Sequence, residues 1–352
     1  MKKRILVAPL NWGIGHACRC IPIIKALIEN NFDVVLASDH EALMLLQKEF
    51  PLLDSVALPG YNVSYSTQKK SFKSHLIKQL PKIYRAIKAE HKATQQIITE
   101  FKIDGILSDN RLGVYSKHIP SIFITHQLNV LSGNTTFLSS KLHELFIKKF
   151  DECWVPDFET TPNLSGKLSH HSTIKQPIPV KFIGALSRFF IETREIKTDI
   201  LVVLSGPEPQ RSLLADKLID ELKKSPKKIV LVKGIIEQEQ SKIIDANLTI
   251  YNYLNSEDLQ KFLNESELII CRSGYTSIMD LAKLKKKVFF IPTPGQFEQE
   301  YLAEHLQHSG IAPFCFQDNF SLAVLNELKN YSGFTDLDFT EKLDSKLFDR
   351  FR

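Results

Sequence analysis

Several things are scarce or missing in this chain of 352 residues. No uninterrupted apolar run approaches the 18 or so residues needed to span a bilayer. Cysteine is sparse and odd in number, at Cys18, Cys20, Cys153, Cys271 and Cys315, with no spacing that reads as a disulfide framework. That favours a reducing compartment. Charge of one sign is not in excess: 45 basic against 40 acidic residues leave +5, too little to make nucleic acid the expected partner. Only 14 glycines and 16 prolines are present, in a chain 43% hydrophobic and 24% charged, which excludes collagen and wholesale disorder. The opening MKKRILVAPLNWGIGH imitates a signal peptide for six residues, but the apolar stretch is short and runs into a Gly-containing turn. A first β-strand in a cytoplasmic protein is the expectation.

What is present is alternation. The length suggests about two domains, and short apolar runs alternate with helix-period segments almost throughout. Strands are expected at 5–10, 32–38, 54–58, 105–109, 121–126 and 152–156, then at 199–206, 227–234, 248–254, 267–274 and 287–292. Helices are expected near 16–30, 40–49, 72–99, 136–150, 209–224, 256–265, 275–285 and 298–309. Strands apolar on nearly every residue and separated by helices imply parallel sheets covered on both faces. The stretch 160–198 is rich in Ser, Thr, Pro and Lys with little periodicity, as a connection would be. The expected fold is therefore α/β: two Rossmann-like doubly wound domains facing a cleft, 1–180 and 197–336, joined by a linker at 181–196. A C-terminal helix at 337–352 would return to the first domain. Ligands of such sheets sit at the carboxyl ends of the strands.

Two strand–turn–helix junctions carry chemistry. After the first strand comes Asn11-Trp12-Gly13-Ile14-Gly15-His16-Ala17-Cys18-Arg19. Its glycines allow a sharp turn, and the helix start offers N–H groups to an anion or a developing charge. A dinucleotide fingerprint would want a third glycine where Cys18 stands, with Asp39 imitating the acidic ribose ligand. His16 reads either as a capping histidine or, kept neutral by the helix dipole, as a general base. Cys18, Cys20 and His16 do not make a metal site, since positions i and i+2 of a helix point apart. The second junction is Cys271-Arg272-Ser273-Gly274-Tyr275-Thr276-Ser277-Ile278-Met279-Asp280. Its turn and helix amides can cradle a diphosphate without a metal, and Asp280 lies at a depth that could reach a ribose diol. The loop Pro292-Thr293-Pro294-Gly295-Gln296-Phe297-Glu298-Gln299-Glu300-Tyr301 opens one more helix at the same sheet edge.

This strand–CRSG–helix–strand–loop arrangement resembles the donor-binding half of GT-B-fold glycosyltransferases. It is most similar to the family of the peptidoglycan N-acetylglucosaminyltransferase. GIGH resembles that family's glycine-rich GGH loop, His126-Gln127-Leu128-Asn129 its H-E-Q-N, and Pro179-Val180-Lys181 its interdomain N-P-V-R. The resemblance covers about residues 4–310. It implies that Ser273, Gly274 and Tyr275, with Gly206 and Arg272 beside them, meet the donor diphosphate. Asp280 takes the place of the ribose-binding glutamate, Gln299 and Glu300 that of a Gln-Gln pair on the donor sugar, and Leu254 lies near the residue covering the uracil. Lys181 or Arg188 approaches the diphosphate from the hinge. On the acceptor side stand Gly13, Gly15, Asp109, His126 and Asn129, with His16 as the base.

The resemblance thus implies an inverting, metal-independent transfer from a UDP-sugar co-substrate to an unidentified acceptor, lipid-linked in that family, with no other cofactor. Two departures bear on the sugar. Ser205-Gly206-Pro207-Glu208-Pro209-Gln210-Arg211 replaces a Gly-Ser-Gln-Gly-like loop, and Glu300 replaces a glutamine. The only Asp-x-Asp, Asp336-Leu337-Asp338, reads as solvated surface. The stretch 69–92 holds eight basic residues against Glu90, with apolar residues at helical spacing. It reads as an ordinary packed helix or as a basic amphipathic one lying on anionic lipid. Rival readings are an epimerase or hydrolase of the same fold, a non-catalytic nucleotide-sugar binding protein, and a dinucleotide-dependent oxidoreductase.

Overall fold

The computed structural model describes residues 2–61, 72–131, 136–170, 177–235, 242–245, 247–335 and 343–352. The chain divides into two compact units, Met1–Arg188 with Thr340–Arg352, and Phe189–Phe339.

In the first unit seven strands form one parallel sheet: β1 (Arg4–Pro9), β2 (Asp33–Ser38), β3 (Ser55–Ala57), β4 (Gly105–Asp109), β5 (Ser121–Ile124), β6 (Glu152–Val155) and β7 (Val180–Phe182). Their order is β3-β2-β1-β4-β5-β6-β7, so the winding reverses between β1 and β4. The all-apolar runs are the reason for parallel pairing. Ile5 to Ala8, Ile106 and Leu107, and Ile122 to Ile124 are wholly buried, a burial only a sheet covered on both faces provides. The helices are α1 (Gly15–Glu29), α2 (His40–Glu49), α3 (Phe72–Phe101) and α4 (Thr136–Ile147). On α3 the buried positions Ile87, Glu90, Thr94 and Ile97 follow the 3–4 spacing of a helix laid on a sheet, while Lys82, Arg85, Lys88 and Lys92 are exposed. Lys69, and the side chains of Lys73 and Lys78, lie outside the described residues, so the basic face is described only from Lys82 onward.

Strand β7 falls in a stretch whose composition reads as loop. Its three residues add to the sheet edge beside β6, pairing Val180 with Cys153 and Phe182 with Val155. A strand this short is held by pairing and carries no periodic signal of its own. At the other end of the chain a 3-10 helix, Ser345–Phe351, stands where a longer helix is expected. It buries Phe348 and Phe351 against Phe32 and Trp154. Gly105 is obligatory there, because a Cβ on it would fall on the Phe351 ring.

The second unit has six strands in the order β10-β11-β9-β8-β12-β13. They are β8 (Thr198–Val203), β9 (Ile229–Val232), β10 (Lys242–Asp245), β11 (Leu248–Tyr251), β12 (Ser266–Cys271) and β13 (Lys287–Phe290). All pairs are parallel except β10 with β11, a hairpin-like edge that the apolar-run reading does not contain. The cause is visible in KIID: Ile243 and Ile244 are both exposed, so this strand has no buried face to mark it. Helices α5 (Gln210–Leu222), α6 (Ser256–Asn264), α7 (Tyr275–Lys283) and α8 (Phe297–His308) complete the unit. Leu214, Leu218 and Leu222 of α5 pack with Ile200, Val202, Leu231 and Ile270 of the sheet in its main core. Here the winding reverses between β8 and β12.

Among the described residues no helix is long and apolar enough to cross a membrane. None of the five cysteines is joined in a disulfide. Asp336, Leu337 and Asp338 lie outside the described residues.

Candidate functional site

In the first unit, the strand ends at the winding reversal bring four sequence-distant side chains together. Register pairs Pro9 with Asp109 and Asp109 with Ile124, so the segments after β1, β4 and β5 leave the sheet side by side. His16, in the first turn of α1, places Nδ1 2.9 Å from Oδ1 of Asp109. Arg19, one turn on, binds the same carboxylate through both arms of its fork, Nε to Oδ2 at 2.6 Å and Nη2 to Oδ1. Its Nη1 lies 2.9 Å from Nδ1 of His126, and Nη2 2.9 Å from Nδ1 of His16. Cys20 adds a 3.6 Å thiol contact to Oδ2.

The electrostatics follow from burial. Asp109 and Arg19 are essentially inaccessible to solvent, whereas the His16 side chain keeps 15% of its surface. Burial works to raise the Asp109 pKa, but Arg19 and His16 outweigh it and hold the carboxyl well below the usual range. For His16, burial and then Arg19 outweigh the opposing pull of Asp109, so its pKa is lowered. Nδ1 of His16 faces both the acceptor Oδ1 of Asp109 and the donor Nη2 of Arg19; with the proton on Nδ1 it bonds to Asp109 and Nε2 keeps its lone pair. A buried carboxylate orienting a neutral imidazole is the arrangement of a general base.

The remaining acceptor-side candidates divide. Gly13 (φ +77°) is exposed in the turn before α1, and half-buried Gly15 is the first residue of that helix. Asn129 is buried, and its Nδ2 donates to the Lys167 carbonyl at 2.8 Å, tying the segment after β5 to 166–170. Asp39 binds Arg111 at 2.9 Å, and Arg111 also reaches Glu90 at 2.6 Å. That buried network occupies the carboxylate a dinucleotide ribose would need. Lys181 lies on β7 and pairs with Glu152 at 2.8 Å, and Arg188 lies 3.8 Å from Glu49.

In the second unit, Gly206, Arg272 and the 291–296 loop meet at the ends of β8, β12 and β13. Gly206 is favoured by its backbone, whose φ of +101° an L side chain rarely adopts. Arg272 is buried, and its bonds go to neutral oxygens: the carbonyls of Ile291, Pro292 and Gln210, and Gln317 Oε1 at 2.7 Å. No carboxylate pairs with it among the described residues, and its Nε has no partner. Burial lowers its pKa to about 10, so it stays charged at neutral pH. Immediately after it α7 begins at Gly274, with no side-chain cap and no acidic residue in the first turn. A fixed cation beside a helix N-terminus is a place where negative charge is favoured.

Around it, Ser273 is buried and donates to the Gln299 carbonyl at 2.7 Å, and Tyr275 is buried. Gln299 Oε1 accepts from Thr293 N at 2.8 Å, and Glu300 Oε1 from Gly295 N at 3.0 Å, so both side chains pin the 292–300 turn. Asp280 is half-buried on α7, and Leu254 half-buried between β11 and α6. Among the described residues no group of three His, Cys, Asp or Glu side chains is placed to hold a metal ion.

Sequence reading missed two residues. Arg19 shares a helix face with His16 at i, i+3, a signal that was available. Thr293, 2% exposed with an unbonded hydroxyl, had none.

Residues 200–331 match the model of the glycosyltransferase family 28 C-terminal domain. The UDP-N-acetylglucosamine--N-acetylmuramyl-(pentapeptide) pyrophosphoryl-undecaprenol N-acetylglucosamine transferase of Haemophilus influenzae (strain PittEE) is 24% identical over 350 residues, 94% of this chain and 90% of that protein. Among solved structures, the glycotransferase of kitacinnamycin superposes with a TM-score of 0.65 at 14% identity, over 99% of each chain. Acinetobacter baumannii MurG does so with 0.54 at 15% identity, over 95% of this chain and 94% of that one. The two parallel-sheet units are those of the GT-B fold, and the chain is a glycosyltransferase. Its second unit carries a glycosyltransferase family 28 C-terminal domain.

Proposed function

We propose that the protein moves a sugar from a UDP-sugar to a hydroxyl of a lipid-linked acceptor, with inversion and without a metal ion. The observation that carries the reading is the 2.9 Å contact between His16 Nδ1 and the buried Asp109 carboxylate. In the step, His16 Nε2 takes the acceptor hydroxyl proton while that oxygen forms a bond to the sugar's anomeric carbon. The bond from this carbon to the diphosphate breaks from the opposite face, and its electron pair leaves with the nucleotide. The α7 amides and the Arg272 cation stabilise that charge, the contribution a divalent ion makes elsewhere. Ser273, Gly274 and Tyr275 hold the diphosphate, Asp280 the ribose, Leu254 the base, Gln299 and Glu300 the sugar. Gly206 lets the diphosphate approach closely, and Lys181 or Arg188 adds a cation. Gly13, Gly15, His126 and Asn129 shape the acceptor side. The exposed basic side chains of α3 from Lys82 onward fit peripheral contact with anionic lipid at the cytoplasmic face of a membrane. The name of the Haemophilus relative supports the donor and acceptor classes.

A thermal-shift panel of UDP, dTDP, UDP-sugars and NAD tests the donor, because a true ligand stabilises the fold by mass action. UDP and one UDP-sugar should raise Tm, and a shift with NAD alone would sink the reading. His16→Ala should keep the UDP shift while losing UDP release in the presence of a polyprenyl-diphosphate sugar acceptor by about 100-fold or more. Turnover in wild type without acceptor would instead mark a hydrolase. Chelator should leave the rate unchanged.

A further inference from the structure

Asp157 stands two residues past β6, wholly buried, and the bonds of its carboxylate run to the stretch that follows it. Oδ1 accepts from Phe158 N at 2.8 Å and from Leu164 N at 2.9 Å. Oδ2 accepts from Ser165 N at 2.9 Å and from the Ser165 hydroxyl, and His170 Nε2 lies 3.3 Å from it. The folded stretch in turn grips the segment after β5. Leu168 O accepts from Asn129 N at 2.9 Å, and Lys167 O from Asn129 Nδ2 at 2.8 Å. Ser169 Oγ donates to the His126 carbonyl at 2.6 Å. We propose that Asp157 is a positioning residue for the transfer: it folds residues 158–170 into a clamp that fixes the His126–Asn129 segment for the acceptor. This rests on the reading of that segment as the acceptor side.

The need for a carboxylate follows from the backbone. Residues 158–170 contain no strand or α-helix, only the 3-10 turn Gly166–Leu168, so their amides have no ladder to join. Leu164, Ser165, Gly166 and Leu168 are buried all the same, and a buried N–H without an acceptor is costly. Asp157 supplies acceptors for the first two, and Asn163 Oδ1 takes the N–H of Gly166 at 3.0 Å. Gly166 turns the chain at a φ of +51°. The His170 ring is stacked on Phe182 of β7, 4.9 Å away, which closes the clamp against the sheet edge. Burial works to raise the Asp157 pKa, but His170, Ser165 and the Leu164 and Ser165 amides outweigh it, so the carboxylate form is kept at neutral pH. Serine, histidine and aspartate together are the parts of a hydrolytic triad. Here, however, the Ser165 hydroxyl donates to the carboxylate itself, and Ser165 is inaccessible. The cluster holds the chain and does not react.

Hydrogen exchange and steady-state kinetics on the whole chain test this together. Asp157→Asn keeps the size but sets a donor amide where N–H groups need an acceptor. In that variant the Asn129 amide should lose about tenfold or more of its protection, while the Leu10 amide, bonded to Asp109 O at 2.9 Å, keeps its own. The kinetic probes are a polyprenyl-diphosphate sugar acceptor and the UDP-sugar that raises Tm. The acceptor KM should rise about tenfold while the donor KM stays within about twofold. A carboxylate that served folding alone would lower the amount of active enzyme, and so the apparent kcat, with both KM values unchanged. Ser169→Ala removes only the bond to the His126 carbonyl, so its acceptor KM should rise about threefold. An unmoved acceptor KM in Asp157→Asn, or an Asn129 amide as protected as in wild type, overturns the proposal. If Asp157→Asn does not fold, the acceptor KM of Ser169→Ala decides it. Full turnover by His16→Ala would overturn the acceptor-side reading underneath. An inactive His16→Ala enzyme, together with an unmoved acceptor KM in both clamp variants, would overturn the role of Asp157 alone.

Discussion

Thr293 shows what a single side chain does when nothing meets it. Its backbone N–H is bonded to Gln299, yet its hydroxyl lies buried with no partner. A buried hydroxyl without a hydrogen bond costs about 1–3 kcal/mol. Thr293→Val keeps the shape and removes the polar atom, so the free protein should gain about 1 kcal/mol, read as a higher urea midpoint at unchanged slope. A lower midpoint would show that the hydroxyl has a partner in solution. At this scale legibility in the sequence was uneven. The placement of His16, Ser273 and Gly274 at strand-to-helix turns was readable because each follows an apolar strand, close to a glycine, at a helix start. Arg19 passed as one more residue of a helix, since a charge in an apolar run carries no mark of what it will neutralise.

Elements were readable to the extent that their burial was periodic or complete. The helix ends of α2, α5, α6 and α8 fall within two residues of expectation, as do most strand limits. Three elements that the periodicity does not mark share a cause. Strand β7 and the antiparallel β10 are short edge pieces held by neighbours, and the C-terminal helix is a 3-10 turn held by two aromatic anchors. For the last of these the anchor can be removed. Phe351, 2% exposed and seated against Gly105, should cost about 3–5 kcal/mol when cut to alanine. Denaturant unfolding would measure it, and a loss under about 1 kcal/mol would mean that the segment does not brace β4.

For the whole molecule, the buried histidines set the response to acid. Burial pulls His143 down to about 4 from 6.5, and its Nδ1 is unpaired. Because the folded pKa lies below the unfolded one, the unfolded chain takes up the proton first as pH falls. Stability is therefore intact above 6.5 and declines between 6.5 and about 4, and His16 acts in the same direction. Asp109 is depressed, so its contribution holds above 3.8 and is lost only in stronger acid. His143→Leu should flatten the pH dependence of the urea midpoint between 6.5 and 4 relative to wild type. An equally steep loss in the variant would assign the acid response elsewhere.

The sequence by itself determined the alternation of strand and helix, the two units' parallel sheets and the loops where charge could be handled. Those follow from local periodicity and from where glycine permits a turn. Only the tertiary structure decided that residues 16, 19, 109 and 126 form one hydrogen-bonded cluster, and that Arg272 stays cationic among neutral oxygens. Strand order brings such residues together across a hundred positions of chain. The burial that follows sets which of them carry charge, and no local pattern encodes either.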